Sequence, residues 1–274
     1  MKPKSVLSGL KISVLGAGNM GQALVRGLVE RSVYSQHISV YDIDKKKLET
    51  LRKDCSVKIA KSNRLSVSLA DVVILAVKPE ILQEVVNETA TAISKDALVI
   101  SIAAGVSMAK IEQYFKKPVS LVRVMPNMPA LVGCGMSAFS LGKHANQRHK
   151  KIAEAILSSF GECAQVPERA LDLVTALSGS GPAYFFLFAE KMIEAAYELG
   201  MKVDLAKKLV YQTALGSGRV MSQTQEDPEE LIDRVASKGG TTEAALKVFQ
   251  KKGLGRVVHE AVKAAQKRSI ELRK

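Results

Sequence analysis

The chain has 274 residues, 47% of them hydrophobic and 24% charged, which describes a folded protein with a large core and not a disordered segment. Three scattered cysteines and four histidines without ligand spacing argue against a disulfide framework and against a zinc site. The formal net charge of +13 attracts anions, but the basic stretch from Lys247 onward carries a single aromatic residue, Phe249, so bases would find little to stack on and nucleic acid is not an expected partner.

In chain order, Met1–Gly9 is basic and lacks the apolar core of a signal peptide. Strands are expected at Lys11–Leu15, Ile38–Tyr41, Val57–Ala60, Val72–Val77 and Leu98–Ile102. Amphipathic helices fall between them at Met20–Arg31, Lys45–Arg52 and Ile81–Ile93. This alternation predicts βαβ units and a mostly parallel, doubly wound sheet. Val72–Val77 is apolar at every position, as a strand covered on both faces should be. Further strands are expected at Pro118–Met125, Met136–Ser140 and Glu162–Val166, with a helix at about Asn146–Ser159. After Glu168 the period changes to helical, with segments at Ala183–Gly200, Asp204–Met221, Pro228–Ala236, Thr242–Gln250 and Arg256–Leu272. The division expected is an α/β domain over 1–167 and an all-α domain over 168–274. The longest apolar runs, Val72–Val77 and Pro182–Ala189, fall short of the ~20 residues that span a bilayer. A cytoplasmic protein without membrane attachment is expected.

Gly16-Ala17-Gly18-Asn19-Met20-Gly21 follows the first strand and opens the first helix, the context in which a G-x-G-x-x-G run binds a dinucleotide. Gly16 permits the tight turn, Gly18 admits a pyrophosphate, and Gly21 allows close helix packing; the helix N-terminus offers free N–H groups and a positive dipole. Asp42 ends the second strand. It reads either as an acceptor for the adenosine ribose hydroxyls, which favours NADH, or as a helix N-cap for Lys45 onward. Lys45, Lys46 and Lys47 could instead neutralise a 2′-phosphate, so NADH and NADPH both stay open. Ala76-Val77-Lys78-Pro79 and Ile102-Ala103-Ala104 lie where parallel strands end and ligands bind. Lys78 reads as a charged group at the pocket edge or as a catalytic acid.

Ser178-Gly-Ser-Gly-Pro182 and Ser237-Lys-Gly-Gly-Thr-Thr242 each read as a Gly-rich loop before a helix, able to cap it or to hold a carboxylate on backbone N–H groups. The apolar Phe185, Phe186, Phe188, Met192 and Ile193 read as a face for a second copy, or as packing on the first domain.

The segments Val122-Arg-Val-Met-Pro-Asn-Met-Pro-Ala-Leu-Val-Gly133, Ser178–Tyr184 and Ser237–Leu246 resemble the signature segments of pyrroline-5-carboxylate reductases, and the resemblance runs from about Lys11 to Ala265. It implies a Rossmann domain followed by an all-helical dimerisation domain, with the active site at the subunit interface of a homodimer or larger homo-oligomer. It implies NAD(P)H-dependent reduction of 1-pyrroline-5-carboxylate to L-proline, the last step of proline biosynthesis. Leu15, Gly16, Ala17, Gly18, Asn19, Met20, Asn63, Ala76, Val77, Lys78, Pro79, Ile102, Ala103 and Ala104 would contact the cofactor. Val235, Ser237, Gly240, Thr241 and Thr242 would line the substrate site, with Thr242 hydrogen-bonded to the imine nitrogen. The chain departs from the usual pattern at Asp42, where Ser or Thr is common, at Met128 for Thr, and at Lys238 for Pro.

Two other readings remain. A β-hydroxyacid or 6-phosphogluconate-type dehydrogenase would need a catalytic lysine on a second-domain helix, and Lys191 is the candidate. A non-catalytic regulator would sense dinucleotide or bind nucleic acid.

Overall fold

The computed structural model describes residues 6–31 and 33–273; residues 1–5 of the basic N-terminal segment, and Lys274, lie outside the described residues. Eight strands form one sheet in the order β3-β2-β1-β4-β5-β6-β7-β8. They are β1 Ile12–Leu15, β2 Ile38–Tyr41, β3 Lys58–Ile59, β4 Val72–Leu75, β5 Leu98–Ser101, β6 Ser120–Met125, β7 Gly135–Leu141 and β8 Gly161–Gln165. β7 runs antiparallel to β6, and every other pairing is parallel. Between and after them lie α1 Asn19–Glu30, α2 Lys45–Cys55, α3 Asn63–Val67, α4 Pro79–Thr89, α5 Met108–Phe115, α6 Gln147–Leu157, α7 Leu171–Val174, α8 Gly181–Glu198, α9 Val203–Thr224, α10 Pro228–Val235, α11 Thr241–Lys251 and α12 Leu254–Leu272.

The double winding follows from side-chain alternation along buried strands. Val72 and Ile74 of β4 enter one core with Leu24 and Leu28 of α1 and Ile152 and Ile156 of α6. Val73 and Leu75 enter the opposite core with Leu82 and Val86 of α4 and Ile111 and Phe115 of α5. All four β4 residues are buried, so an unbroken apolar run is what the position demands. The strand order reverses between β1 and β4, which makes the loops after those two strands the topological switch point.

The chain forms two compact units, one running to Ser180 and resuming at Ala265, the other Gly181–Ala264. The second unit is helical, with α8 and α9 in mutual contact. It exposes Phe185, Phe186, Leu187, Phe188, Leu209 and Tyr211. So large an apolar surface is rare on a protein that works alone.

One expectation is corrected. Ser178–Pro182 is not a loop before a helix: a π-helical turn, Thr175–Gly179, carries α7 into α8, and the Ser180 N–H donates to the Thr175 carbonyl at 2.8 Å. The helical run Glu168–Glu198 is therefore 31 residues long, and by length and composition alone it is apolar enough to cross a membrane.

Candidate active site

In the first unit the site is built on strand ends. β1 delivers Gly16 with φ +104°, a conformation that needs glycine, and a Cβ there would sit 2.5 Å from the Ala76 carbonyl oxygen. A Cβ on Gly21 would collide with the Gly16 carbonyl. Gly18 differs: nothing lies within 4 Å of its would-be Cβ, so its outer face is open. Gly18 is the N-cap of α1, and no side chain caps that helix. An open backbone at an uncapped helix N-terminus is what a pyrophosphate requires, so the residues present fit a dinucleotide.

The turn is stitched to its neighbours. Gly16 N–H donates to the Tyr41 carbonyl at 2.8 Å, and Ala76 N–H donates to Leu15 at 2.8 Å. Ala17 N–H donates to Asp42 Oδ2 at 2.6 Å, and Gln22 Nε2 donates to the Ala17 carbonyl at 2.9 Å. Ile102 N–H donates to the Leu75 carbonyl at 3.1 Å, which brings the β5 end beside that of β4. Leu15–Met20, Asp42, Ala76–Pro79 and Ile102–Ala104 thus share the C-terminal edge of the sheet. Leu15, Ala17 and Ala103 point into the core, so any ligand would meet their backbone. A cavity of about 610 Å³ opens here, lined in part by Pro79, Ala104, Gly105, Thr175 and Ser180.

Asp42 does not cap α2. Asp44 does, accepting from the N–H groups of Lys46 and Lys47; it stands immediately before the first helical residue, where its oxygen reaches those donors. Lys78 is exposed at the N-cap of α4. Asn63 opens α3, and its amide donates to Glu88 Oε2 at 2.7 Å.

In the second unit, Val235, Ser237, Gly240, Thr241 and Thr242 gather around the α10–α11 junction. Gly239 turns at φ +74° and donates its N–H to Glu243 Oε2 at 2.7 Å. That bond, followed by the one with Lys247, holds the Glu243 carboxyl below its ordinary range. Gly240 N–H donates to the Ser237 carbonyl at 2.9 Å. The first-turn N–H groups of Thr241 and Thr242 lie at the positive end of α11, where negative charge is favoured. Thr242 and Val235 also line a groove of about 830 Å³ with Val220, Leu231, Ile232 and Leu246.

Some residues of the first unit not named as site residues tie its elements together. Asn127 donates its amide to both the carbonyl and the Oγ of Ser178 at 3.2 Å, and its Oδ1 accepts from Met136 N–H at 2.8 Å. It thereby ties two of the three signature segments together. Buried Arg123 pairs with Glu168 Oε1 at 2.9 Å, and the same oxygen accepts from Met108 N–H at 2.8 Å. Lys191, the dehydrogenase candidate, is exposed and paired with Glu194 at 2.8 Å, and that hydrogen bond raises its pKa. A lysine meant to give up a proton needs the opposite shift.

Comparison with known proteins adds the identity. Residues 168–272 match the family model described as pyrroline-5-carboxylate reductase dimerisation, and residues 11–105 match NADP oxidoreductase coenzyme F420-dependent. A pyrroline-5-carboxylate reductase of Pseudomonas aeruginosa is 38% identical over 97% of this chain and 98% of its own. The chain belongs to the pyrroline-5-carboxylate reductase family. The solved pyrroline-5-carboxylate reductase of Coxiella burnetii superposes with a TM-score of 0.93 at 36% identity, covering 97% of this chain and 99% of that one. The Plasmodium falciparum pyrroline carboxylate reductase, solved with NADP bound, gives 0.85 at 31% identity over 97% and 99%. A Rossmann domain followed by a helical reductase-family domain agrees with both family models, and the enzyme is an oxidoreductase.

Proposed function

We propose that the chain reduces the C=N bond of 1-pyrroline-5-carboxylate to give L-proline, the last step of proline biosynthesis, in the cytoplasm and as a homodimer or larger homo-oligomer. The observation that carries this within the family is the open face of Gly18 at an uncapped helix N-terminus, at the point where the strand order reverses. Leu15–Met20, Asp42, Asn63, Ala76–Pro79 and Ile102–Ala104 would hold NAD(P)H, which would supply hydride when bound. The first-turn N–H groups of α11 anchor the substrate carboxylate. The Thr242 hydroxyl hydrogen-bonds the imine nitrogen and orients the ring. The reaction adds a hydride to the imine carbon and leaves a proton on the nitrogen, so it needs position and a polar contact there and no covalent step through a side chain.

The test is to follow dinucleotide oxidation with 1-pyrroline-5-carboxylate and to quantify the proline formed. Stoichiometric proline is expected. Dinucleotide binding without proline formation would overturn the substrate assignment.

A further inference from the structure

We infer that Asp42 sets the dinucleotide preference of this chain and that the preferred form is NADH. The inference rests on the dinucleotide reading above and deepens it. The Plasmodium falciparum relative was solved with NADP, so this inference sets the present chain apart from that relative and rests on the chain's own residues.

β2 lies beside β1 with Tyr41 opposite Leu15, which places Asp42 next to the Gly-rich turn. Both of its carboxylate oxygens are engaged from the protein side. Oδ2 accepts from Ala17 N–H at 2.6 Å, and Oδ1 accepts from Asp44 N–H at 2.8 Å. Swinging the carboxylate aside would strip two backbone donors of their partner, one of them in the turn itself. The charge is therefore fixed in place, and the half-buried side chain is screened less than a free surface group. Each oxygen keeps an acceptor position for a ribose hydroxyl. A 2′-phosphate, by contrast, would bring about 1.5 to 2 negative charges to a carboxylate that cannot withdraw.

The opposing argument is the run Lys45-Lys46-Lys47. The structure weakens it. Lys47 Nζ lies 3.3 Å from Asp44 Oδ2, so part of its charge is already answered by a second acid. Lys45 and Lys46 are exposed. Each is a flexible, strongly hydrated point charge, and no arginine, whose planar fork suits phosphate, occurs between Ile43 and Leu51. The immobile carboxylate outweighs the mobile ammonium groups.

The test measures binding as well as turnover. Fluorescence titrations with NADH and with NADPH yield two dissociation constants for the unmodified protein, and parallel assays yield two kcat/KM values. NADH is expected to bind tighter by on the order of tenfold or more, the scale of one unit charge pair at a protein surface. Asp42→Ser should narrow or invert that ratio, mainly by tightening NADPH. Equal affinities, or tighter NADPH, in the unmodified protein would overturn the inference whether or not the variant folds. So would a variant that weakens both dinucleotides equally, because Asp42 would then only brace the turn. Binding of neither dinucleotide would overturn the proposed function as well.

Discussion

Ser269 donates its hydroxyl to Asp172 Oδ1 at 2.9 Å, joining the last helix to a residue 97 positions earlier. Arg273 occupies the other oxygen, with Nη1 2.9 Å from Oδ2. Asp172 is 3% exposed, so these two partners stand in for the water its carboxylate loses on burial. Neighbouring residues of the same helix, Ala265, Arg268 and Leu272, line the cavity at the sheet edge together with Ser269. The clamp thus holds one wall of the candidate cofactor site. Asp172→Ala is expected to cost about 2–4 kcal/mol, because it leaves a buried hydroxyl and a half-buried guanidinium unpaired. Ser269→Ala should cost about 1 kcal/mol. Urea midpoints at one fixed protein concentration would check both.

Two glycines of the turn, Gly18 and Gly21, should separate by what they do. Gly18 has open space around it and φ −67°, which alanine adopts freely. Gly18→Ala should leave the thermal midpoint within a few degrees while weakening dinucleotide binding about tenfold or more, because the methyl group fills the phosphate's space. Gly21→Ala pushes against the Gly16 carbonyl and should lower the midpoint and the affinity together. Thermal melts with and without dinucleotide would distinguish the two.

Much of the fold was legible because its signals are local. β2 runs over the expected Ile38–Tyr41, and β1 and β5 lie within one residue of their expected limits, since strands buried on both faces read as apolar runs. The helix through Ser178–Pro182 was not legible. Gly, Ser and Pro there describe a loop, and only distant contacts overrule them: Asn127 holds Ser178, and the Met125 side chain packs against Gly179. The short helices α3 and α5 did carry a signal, in their N-caps Ser62 and Ser107. The Arg123–Glu168 pair had none, because its partners are 45 residues apart. At α2 two acids stand two positions apart, and composition alone did not say which would cap the helix and which would face the turn.

Acid should destabilise the first unit through His149. His149 Nδ1 accepts the Asn146 N–H at 3.2 Å, and Asn146 Oδ1 accepts the His149 N–H at 3.1 Å, closing a capping box at the start of α6. The accepting nitrogen must be unprotonated. Burial first, and then the charge of Arg148, lower the pKa of His149 in the fold. The unfolded chain therefore takes up its proton first as pH falls. Stability from this group is present above the ordinary histidine value of about 6.5 and is lost as pH drops from there through the lower folded value. His149→Gln can make the same box without titrating, so its stability should change less across that window. Denaturation midpoints over a pH series would show the two curves diverging below neutrality.

The exposed face of α8 should answer to charge. Phe186→Glu replaces an exposed aromatic of the dimerisation-family segment with a carboxylate. Burying that charge against a second copy would be unfavourable by several kcal/mol. Sedimentation should therefore show the unmodified protein as a dimer or larger and the variant as smaller species. An unmodified protein that sediments as a monomer would remove the interface from the account.

In the proposed mechanism, Thr242 is the residue on which the chemistry depends most directly. It is the second residue of α11, half-buried, on a turn braced by the Gly239–Glu243 bond. Thr242→Ala keeps the helix start intact, because Gly240 occupies the N-cap and the Glu243 brace does not involve the hydroxyl. The substitution should therefore remove one hydrogen bond at the imine nitrogen and little else. If that bond is stronger in the transition state than in the bound substrate, kcat and kcat/KM fall together; a loss of about 1.5–3 kcal/mol corresponds to roughly 10- to 150-fold. Dinucleotide affinity should stay within a factor of about two, since the residues proposed to hold the dinucleotide belong to the other unit. Thr242→Ser restores the hydroxyl without the methyl group and should recover most of the rate. Loss of rate in the alanine variant without recovery in the serine variant would assign Thr242 to packing along the groove it lines with Val235 and Leu246, and not to the reaction.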